Sequence, residues 1–173
     1  GLNAQSTIAD IGSGTGKLTE LFLANGNPVF GVEPNQDMRE AGERLLKPFA
    51  NFSSIAATAE ETTLRNGSTD FIVAGQAFHW FDRISCRKEF VRILRPGGWV
   101  VLVWNDRKTE TSPFLVEYEN LLKTYATDYS KVDHKQIDDS VVRDFFGYAP
   151  AKKVFPSAQE FDFAGLKGRL LSS

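Results

Sequence analysis

Three glycines at alternate positions, Gly12, Gly14 and Gly16, interrupt the apolar stretch IADIGSGTGKLTELFL over residues 8–23. The apolar residues before them are typical of a buried strand, and those after them recur at helical spacing. Glycine lets the main chain approach a ligand closely at little steric cost. A strand, a tight glycine turn and a helix therefore predict a loop that holds a nucleotide-like cofactor.

The spacing of these glycines narrows the choice of cofactor. A dinucleotide-binding turn has the pattern G-x-G-x-x-G, and its third glycine permits close contact between helix and strand. Here that place is Lys17, whose long side chain would obstruct such a contact. The phosphate-loop pattern G-x-x-x-x-G-K-[ST] fails at the same residue. An NAD-binding oxidoreductase is therefore the disfavoured alternative.

Two acids stand where they could bind the polar groups of a nucleoside. Asp10 lies in the predicted strand before the turn, and Glu33 ends the next predicted strand. Glu33 follows the turn by about 20 residues, the distance at which an acid reaches a ribose. A carboxylate can accept hydrogen bonds from both ribose hydroxyls. The alternative, that both acids only cap strand ends, is disfavoured because acids otherwise avoid such apolar strands.

A further ionisable group lies in GQAFHWF, residues 75–81. His79 titrates near neutral pH and could remove a proton from an acceptor hydroxyl or amine. The alternative is that His79 packs among the neighbouring aromatic rings and only shapes a pocket. We expect no metal, because Gln76 stands where a metal-assisted site would need an acid.

Short apolar strands alternate with helices along the chain. The predicted strands are residues 6–11, 28–33, 52–57, 70–77 and 99–104, the last fully buried, and one more over 151–163. The predicted helices are residues 15–25, 36–47, 83–94, 113–125 and 141–146, and another begins at 165. The polar residues 127–139 predict a loop or cap, and the RPGG at 95–98 predicts a turn.

This alternation predicts an α/β fold with a doubly wound, mostly parallel sheet and helices on both faces. Ligands bind such sheets at the carboxyl ends of the strands. The 173 residues are 42% hydrophobic, which fits a globular protein. Their net charge of −2 gives no indication of a basic surface that would bind nucleic acid. No apolar run approaches a membrane span of about 20 residues. The single cysteine, Cys86, fits the cytoplasm.

Taken together, IADIGSGTGKLTELFL, VFGVEPNQDM and RPGG resemble the class I S-adenosylmethionine-dependent methyltransferases over roughly residues 6–104. The segment QAFHWFD looks like their small-molecule branch, which includes trans-aconitate-type methyltransferases. The resemblance implies a Rossmann-like fold with seven strands and lid helices, so we expect this chain to lack parts at both ends. We expect one methyltransferase domain over 1–173, with a cofactor-binding half at 1–105 and substrate-side helices and a sixth strand at 106–173.

The resemblance also assigns the cofactor contacts. It places the ammonium group on Asp10 and the turn carbonyls, the ribose on Glu33, and the adenine along residues 34–38 and 58–60. Thr58 stands where an acid is usual in the family, so the adenine contact is expected to pass to the main chain of the next two residues. The implied cofactor-binding residues are Asp10, Gly12, Ser13, Gly14, Gly16, Glu33, Pro34, Met38, Thr58, Ala59, Glu60, Gln76 and Ala77.

The reaction implied by the resemblance is in-line transfer of a methyl group from S-adenosylmethionine to an oxygen, nitrogen or carboxylate acceptor. Such an enzyme mainly positions and desolvates its reactants, with His79 as the candidate base, and a carboxylate acceptor needs no base. The acidic balance and QAFHWFD favour a small-molecule acceptor. An RNA or protein methyltransferase and a non-catalytic member of the fold are the alternatives. The sequence does not indicate the oligomeric state.

Overall fold

The computed structural model describes residues 1–106, 108–125 and 137–171. In chain order their elements are β1 (Ile8–Ile11), α1 (Lys17–Ala24), β2 (Val29–Val32), α2 (Gln36–Leu46), β3 (Phe52–Ile55), β4 (Thr69–Gly75), α3 (Arg83–Ile93), β5 (Leu94–Val103), α4 (Pro113–Tyr125), α5 (Asp139–Phe146) and α6 (Phe163–Leu171). A single 3-10 turn, Phe78–Trp80, follows β4. Most of the predicted polar loop or cap, residues 127–136, lies outside the described residues.

The five strands form one parallel sheet with the order β3-β2-β1-β4-β5. In register, Ile8 of β1 lies opposite Val29 of β2 on one side and Phe71 of β4 on the other. The strand order therefore changes direction between β1 and β4, which is where ligands bind in open parallel sheets. The predicted α/β fold with a mostly parallel sheet is confirmed.

The sheet is held by apolar side chains from its strands and its first two helices. All four residues of β1 are buried, and the core cluster consists of Ile8, Leu23, Val29, Leu46 and Val73. Burying each such side chain stabilises the fold by about 1.5–3 kcal/mol. This packing fixes the strand ends and the turns that follow them.

Side-chain caps set where two of the sheet's helices begin. The side chain of Asn35 accepts a hydrogen bond from the backbone of Met38 at the start of α2. Asp82 does the same for Ser85 at the start of α3. Both are favoured N-cap residues because they satisfy main-chain donors that have no partner within the helix.

The fifth strand differs from its prediction in extent and burial. β5 begins at Leu94 and contains the RPGG turn as a bulge, because Thr69 pairs with Leu94 whereas Phe71 pairs with Trp99. The predicted full burial is wrong, since the row Trp99, Val101 and Val103 is exposed. A continuous apolar strand is buried only when both of its faces are covered, and this row of side chains is not.

Contacts divide the chain into two compact units, residues 1–105 and 106–173. The first unit contains the whole sheet with α1, α2 and α3. The second contains α4, α5 and α6, with Leu122 and Phe145 as its buried apolar side chains among the described residues.

The predicted sixth strand is not formed. Residues 151–162 follow no regular structure, their side chains are exposed, and α6 begins at Phe163. The reason is that a strand needs a neighbour for its main-chain donors and acceptors, and none of the described residues pairs with this segment. Across the part of the chain that the structure describes, no helix combines the length and apolarity needed to cross a membrane.

Candidate cofactor-binding site

The glycine turn is bound to the end of β2 by main-chain hydrogen bonds. The N–H groups of Gly12 and Ser13 both donate to the carbonyl of Val32, at 2.9 and 3.2 Å. The N–H of Gly16 donates to the carbonyl of Ser13 at 2.9 Å and closes the turn before α1. The turn therefore lies against the carboxyl ends of β1 and β2.

The first two glycines of the turn have different surroundings. Both have positive φ, 70° at Gly12 and 57° at Gly14. A Cβ on Gly12 would lie 2.5 Å from the Cβ of Ala77, whereas a Cβ on Gly14 would meet no atom within 4 Å. Gly12 thus allows the turn to contact the segment after β4, and Gly14 presents main chain to open space.

Glu33 is a buried carboxylate held by the main chain around it. Its Oε2 accepts a hydrogen bond from the N–H of Gly14 at 2.8 Å, and its Oε1 accepts from the N–H of Asn35 at 2.9 Å. Each carboxylate oxygen can accept more than one hydrogen bond, so both retain capacity for the hydroxyls of a ligand. Glu33 therefore connects the glycine turn, the end of β2 and the start of α2.

Arg39 supports the main chain at Glu33, a role that was not predicted from the sequence. Its Nη1 donates to the carbonyl of Glu33 at 3.0 Å and to that of Pro34 at 3.4 Å. The pattern that would have indicated this role is an arginine on the first turn of a helix that follows a strand-end acid.

Asp10 is only 1% exposed, and one of its oxygens has no partner. Oδ2 accepts from the hydroxyl of Thr19 at 2.6 Å, whereas Oδ1 has no hydrogen-bond partner among the described residues. Burial, together with the nearby charge of Glu33, raises the pKa of Asp10 to about 6 against the lowering effect of the hydrogen bond from Thr19. A buried acceptor without a donor is costly. Such an oxygen fits a cationic donor on a ligand, the chemistry of an ammonium group.

The residues predicted to lie along the adenine divide into exposed and tethered positions. Pro34 and Thr58 are exposed, Ala59 is buried, and Met38 is 50% exposed, so Met38 does not belong to the core. Glu60 accepts a hydrogen bond from the N–H of Asp82 at 2.9 Å. Its carboxylate thus connects the segment after β3 to the start of α3.

A buried acid on α3 also holds the segment after β3 in place. Glu89 accepts from both the N–H and the hydroxyl of Thr62 and pairs with Arg92 at 2.6 Å. The hydrogen bonds from Arg92, then those from Thr62, lower the pKa of Glu89 to about 2 against the effect of burial. The next residue, Thr63, has a φ of 61°, which is rare for a β-branched side chain. This brace between α3 and the segment after β3 was not predicted from the sequence.

The segment after β4 begins with another strained residue. Gln76 has a φ of 57°, and its N–H donates to the carbonyl of Val103 at 3.0 Å. Its side chain donates to the carbonyl of Asn105 at 3.3 Å. His79 follows on the 3-10 turn, half-buried, with its ring centroid 4.8 Å from that of Trp80. Strained main chain of this kind is concentrated at functional sites.

Neither a metal site nor a cysteine nucleophile is supported by the described residues. No group of three or more His, Cys, Asp or Glu side chains among them could hold a metal ion. Cys86 is buried, and burial raises the pKa of its thiol. The thiol therefore stays protonated and is a poor nucleophile.

The predicted residues collect at the carboxyl ends of three adjacent strands. Asp10 and the glycine turn are on β1 and after it, Glu33 follows β2, and Gln76 follows β4. The unpartnered oxygen of Asp10, the open space at Gly14 and the anchored carboxylate of Glu33 fit the ammonium, main-chain and ribose contacts of S-adenosylmethionine.

Known proteins that are similar to this chain are described as methyltransferases. A family model described as a methyltransferase domain matches residues 9–102, more than half of the chain. An uncharacterized methyltransferase of Mycobacterium tuberculosis is 38% identical over 104 residues, which are 60% of this chain and 42% of that protein. An uncharacterized methyltransferase-like protein of Schizosaccharomyces pombe is 32% identical over 128 residues, 73% of this chain and 48% of that protein. The chain thus spans less than half the length of these two relatives.

The sheet also resembles that of a solved structure. A SAM-dependent methyltransferase from Aquifex aeolicus superposes with a TM-score of 0.58 at 16% identity, covering 73% of this chain and 74% of that one. At this identity the likeness concerns the fold alone.

Proposed function

Because the chain belongs to the methyltransferase-domain family, whose cofactor is S-adenosylmethionine, we propose that it transfers the cofactor's methyl group to a small-molecule acceptor. The observation that carries the proposal is the pair of buried acids at the carboxyl edge of the sheet. One of them, Asp10, has an oxygen without a donor, and the other, Glu33, is held as an acceptor by two main-chain N–H groups.

In this proposal each part of the cofactor has its own residues. Asp10 would accept from the ammonium group, Glu33 would accept from the ribose hydroxyls, and the main chain at Gly14 would lie against the methionine part. Residues 34–38 and 58–60 would lie along the adenine. Gln76 and Ala77 would face the methionine part from the end of β4. The close approach of Ala77 to Gly12 supports this, because it places the segment after β4 directly beside the glycine turn.

The chain's own groups have a limited chemical task. The bound cofactor supplies a methyl group that is already activated by a positively charged sulfur. The protein orients the acceptor in line with that methyl and excludes water, and both effects lower the barrier. His79 is the candidate base, since an imidazole can hold the proton of an acceptor hydroxyl or amine. A carboxylate acceptor would need no such base.

The acceptor class is also part of the proposal. QAFHWFD resembles the small-molecule branch that includes trans-aconitate-type enzymes, and the net charge of −2 does not suit a polyanionic acceptor such as RNA. A cytoplasmic location belongs to the same proposal, in keeping with a single, buried cysteine.

Cofactor binding is tested by calorimetric titration with S-adenosylmethionine and S-adenosylhomocysteine. We expect Glu33→Gln to weaken both by more than tenfold, because its amide NH2 would face one of the two main-chain N–H donors and could not accept from a ribose hydroxyl. Glu20→Gln, an exposed charge-matched change on α1, should bind like the wild type. Failure of the folded wild type to bind either compound would contradict the proposal.

Methyl transfer is tested with S-adenosylmethionine labelled in its methyl group and a panel of carboxylate, hydroxyl and amine acceptors. We expect label to enter one acceptor class. If that class has a hydroxyl or amine, His79→Gln should lower kcat and remove the dependence of kcat on pH near neutrality. If the class is carboxylate, His79→Gln should leave both unchanged. Binding with no transfer to any acceptor would favour the non-catalytic alternative.

A further inference from the structure

One aromatic ring lies beside the glycine turn. The Cε1 and Cζ atoms of Phe81 each lie 3.7 Å from the position that a Cβ on Gly12 would occupy. The nearby ring of Trp80 packs beside His79, and that of Trp104 beside Phe78. Phe81 is therefore a candidate for contact with a ligand bound at the turn.

The Phe81 ring is held in place from two sides. It makes edge-to-face contacts with Phe78, at 6.0 Å between centroids, and with Phe90, at 6.4 Å. Phe78 and Phe90 are 0% and 2% exposed, whereas Phe81 is only half-buried. The main chain that follows the ring is also fixed, because the N–H of Asp82 donates to Glu60. A ring supported this way can present a surface to a ligand without reorganising.

We propose that the Phe81 ring contacts the positively charged sulfonium of S-adenosylmethionine, so that the site prefers the cofactor to the uncharged thioether product. This inference rests on the proposed function. With the ammonium on Asp10 and the ribose on Glu33, the sulfur that joins those two parts would lie beside the turn from Gly12 to Gly14. An aromatic ring attracts a cation within about 6 Å of its centre, and Phe81 is the ring found beside Gly12.

The chemistry of the sulfonium explains why a ring suits this place. A carboxylate there would stabilise the charge but would also be a nucleophile beside an activated methyl group. An aromatic ring attracts the cation through its quadrupole and offers no such nucleophile. Once the methyl has left, the sulfur is neutral and the attraction ends, which favours release of S-adenosylhomocysteine.

The test compares the affinities of Phe81 variants for S-adenosylmethionine and S-adenosylhomocysteine by calorimetry. We expect Phe81→Leu to weaken binding of S-adenosylmethionine by about two- to thirty-fold and to leave binding of S-adenosylhomocysteine unchanged. Phe81→Tyr should keep the wild-type ratio. Phe90→Leu, which alters the support of the ring but keeps the ring itself, should change that ratio less than Phe81→Leu does.

Equal weakening of both compounds in Phe81→Leu, or no change in either, would overturn the sulfonium contact while leaving the proposed function intact. Binding of neither compound to the wild type would instead contradict the proposed function. If Phe81→Leu does not fold, stepwise fluorination of the ring at position 81 decides the matter, because it reduces the quadrupole and preserves the shape. Affinity for S-adenosylmethionine should then fall with each fluorine, and a constant affinity would overturn the inference.

Discussion

Two acids that lie close together in this protein have opposite environments. Glu33 accepts a main-chain N–H on each of its two oxygens. Asp10 has one hydroxyl donor and, among the described residues, one oxygen without a partner, and its burial disfavours the charge. Both oxygens of Glu33 are therefore held in place as acceptors, whereas Asp10 becomes a satisfied carboxylate only when a cationic donor reaches it.

We predict that binding of S-adenosylmethionine is pH-dependent through Asp10. Its pKa is about 6 in the free protein, and the ammonium of the cofactor requires the carboxylate. Below pH 6 the Asp10 carboxyl must therefore lose a proton when the cofactor binds. The Kd for S-adenosylmethionine should rise about tenfold for each unit by which the pH falls below 6. Calorimetry at pH 5, 6, 7 and 8 measures this.

Asp10→Asn is the matched control for that prediction. We expect it to bind more weakly at pH 8 and to have a flatter dependence of Kd on pH. Because the titrations of the cofactor itself are common to both proteins, the difference between the two profiles belongs to Asp10. Parallel profiles for the wild type and Asp10→Asn would contradict the prediction.

At this scale the sequence predicted the acids but not their partners. Asp10 and Glu33 were identified from their distances to the glycines, because strand ends and turn lengths fix where such residues lie. Thr19 and Arg39, which bind them, could not be identified because their roles depend on how α1 and α2 pack on the sheet. Predicted contacts such as that of Thr58 with adenine stay predictions.

Among the structural elements, the glycine turn allows a direct comparison of two similar substitutions. Both Gly12→Ala and Gly14→Ala place a side chain at positive φ, which costs about 1–2 kcal/mol of folding free energy. Gly12→Ala adds a collision with Ala77, which costs about 1–3 kcal/mol more. Gly14→Ala meets no protein atom, but its methyl group would occupy the space proposed for the cofactor.

We therefore predict that Gly12→Ala loses clearly more stability than Gly14→Ala, whereas Gly14→Ala still weakens binding of S-adenosylmethionine by more than tenfold. Urea unfolding and calorimetry measure the two effects. If Gly14→Ala binds the cofactor like the wild type, the open space at Gly14 is not where the cofactor lies.

The brace between α3 and the segment after β3 is a second element with a measurable role. Glu89→Gln would remove the charge that pairs with Arg92 and would weaken the bonds from Thr62. We expect it to lower the free energy of unfolding by about 2–3 kcal/mol, since hydrogen bonds to charged groups contribute most. Chemical denaturation measures this loss. Asp139→Asn, in an exposed ion pair with Lys152, should leave the stability nearly unchanged. Equal effects of the two substitutions would contradict a bracing role for Glu89.

The predictions of strands were wrong where a segment needs a neighbour that is distant in the sequence. The four strands β1 to β4 were found because each has its own run of apolar residues and ends in a turn. The sequence also predicted burial for β5 and a strand over 151–163, but Trp99 is 62% exposed and no strand among the described residues pairs with residues 151–162. Apolar alternation indicates that a segment suits a sheet, and it does not supply the partner that the segment needs.

At the scale of the whole molecule, the free protein contains several features that lower its stability. The chain combines a buried acid, Asp10, one of whose oxygens has no partner among the described residues, with non-glycine residues at positive φ, Thr63 and Gln76. Each of these features is unfavourable in the folded state. The apolar core around Ile8 and Val29 compensates for them, and a bound cofactor would relieve the first of them directly.

We predict that the cost of burying Asp10 appears in the way the free energy of unfolding depends on pH. The pKa of Asp10 is 3.8 in the unfolded chain and about 6 in the fold. Between these values the folded protein retains a proton that the unfolded chain has released, so ionising Asp10 lowers the free energy of unfolding as pH rises from about 4 to about 6. The stability of Asp10→Asn relative to the wild type should therefore increase by about 2–2.5 kcal/mol between pH 4 and pH 7.5, because the unfolded carboxyl is already partly ionised at pH 4. Urea unfolding of both proteins at several pH values measures this difference, with Glu20→Gln as the control expected to show no such trend. A difference between Asp10→Asn and the wild type that stays constant with pH would mean that Asp10 is ionised in the folded protein throughout this range.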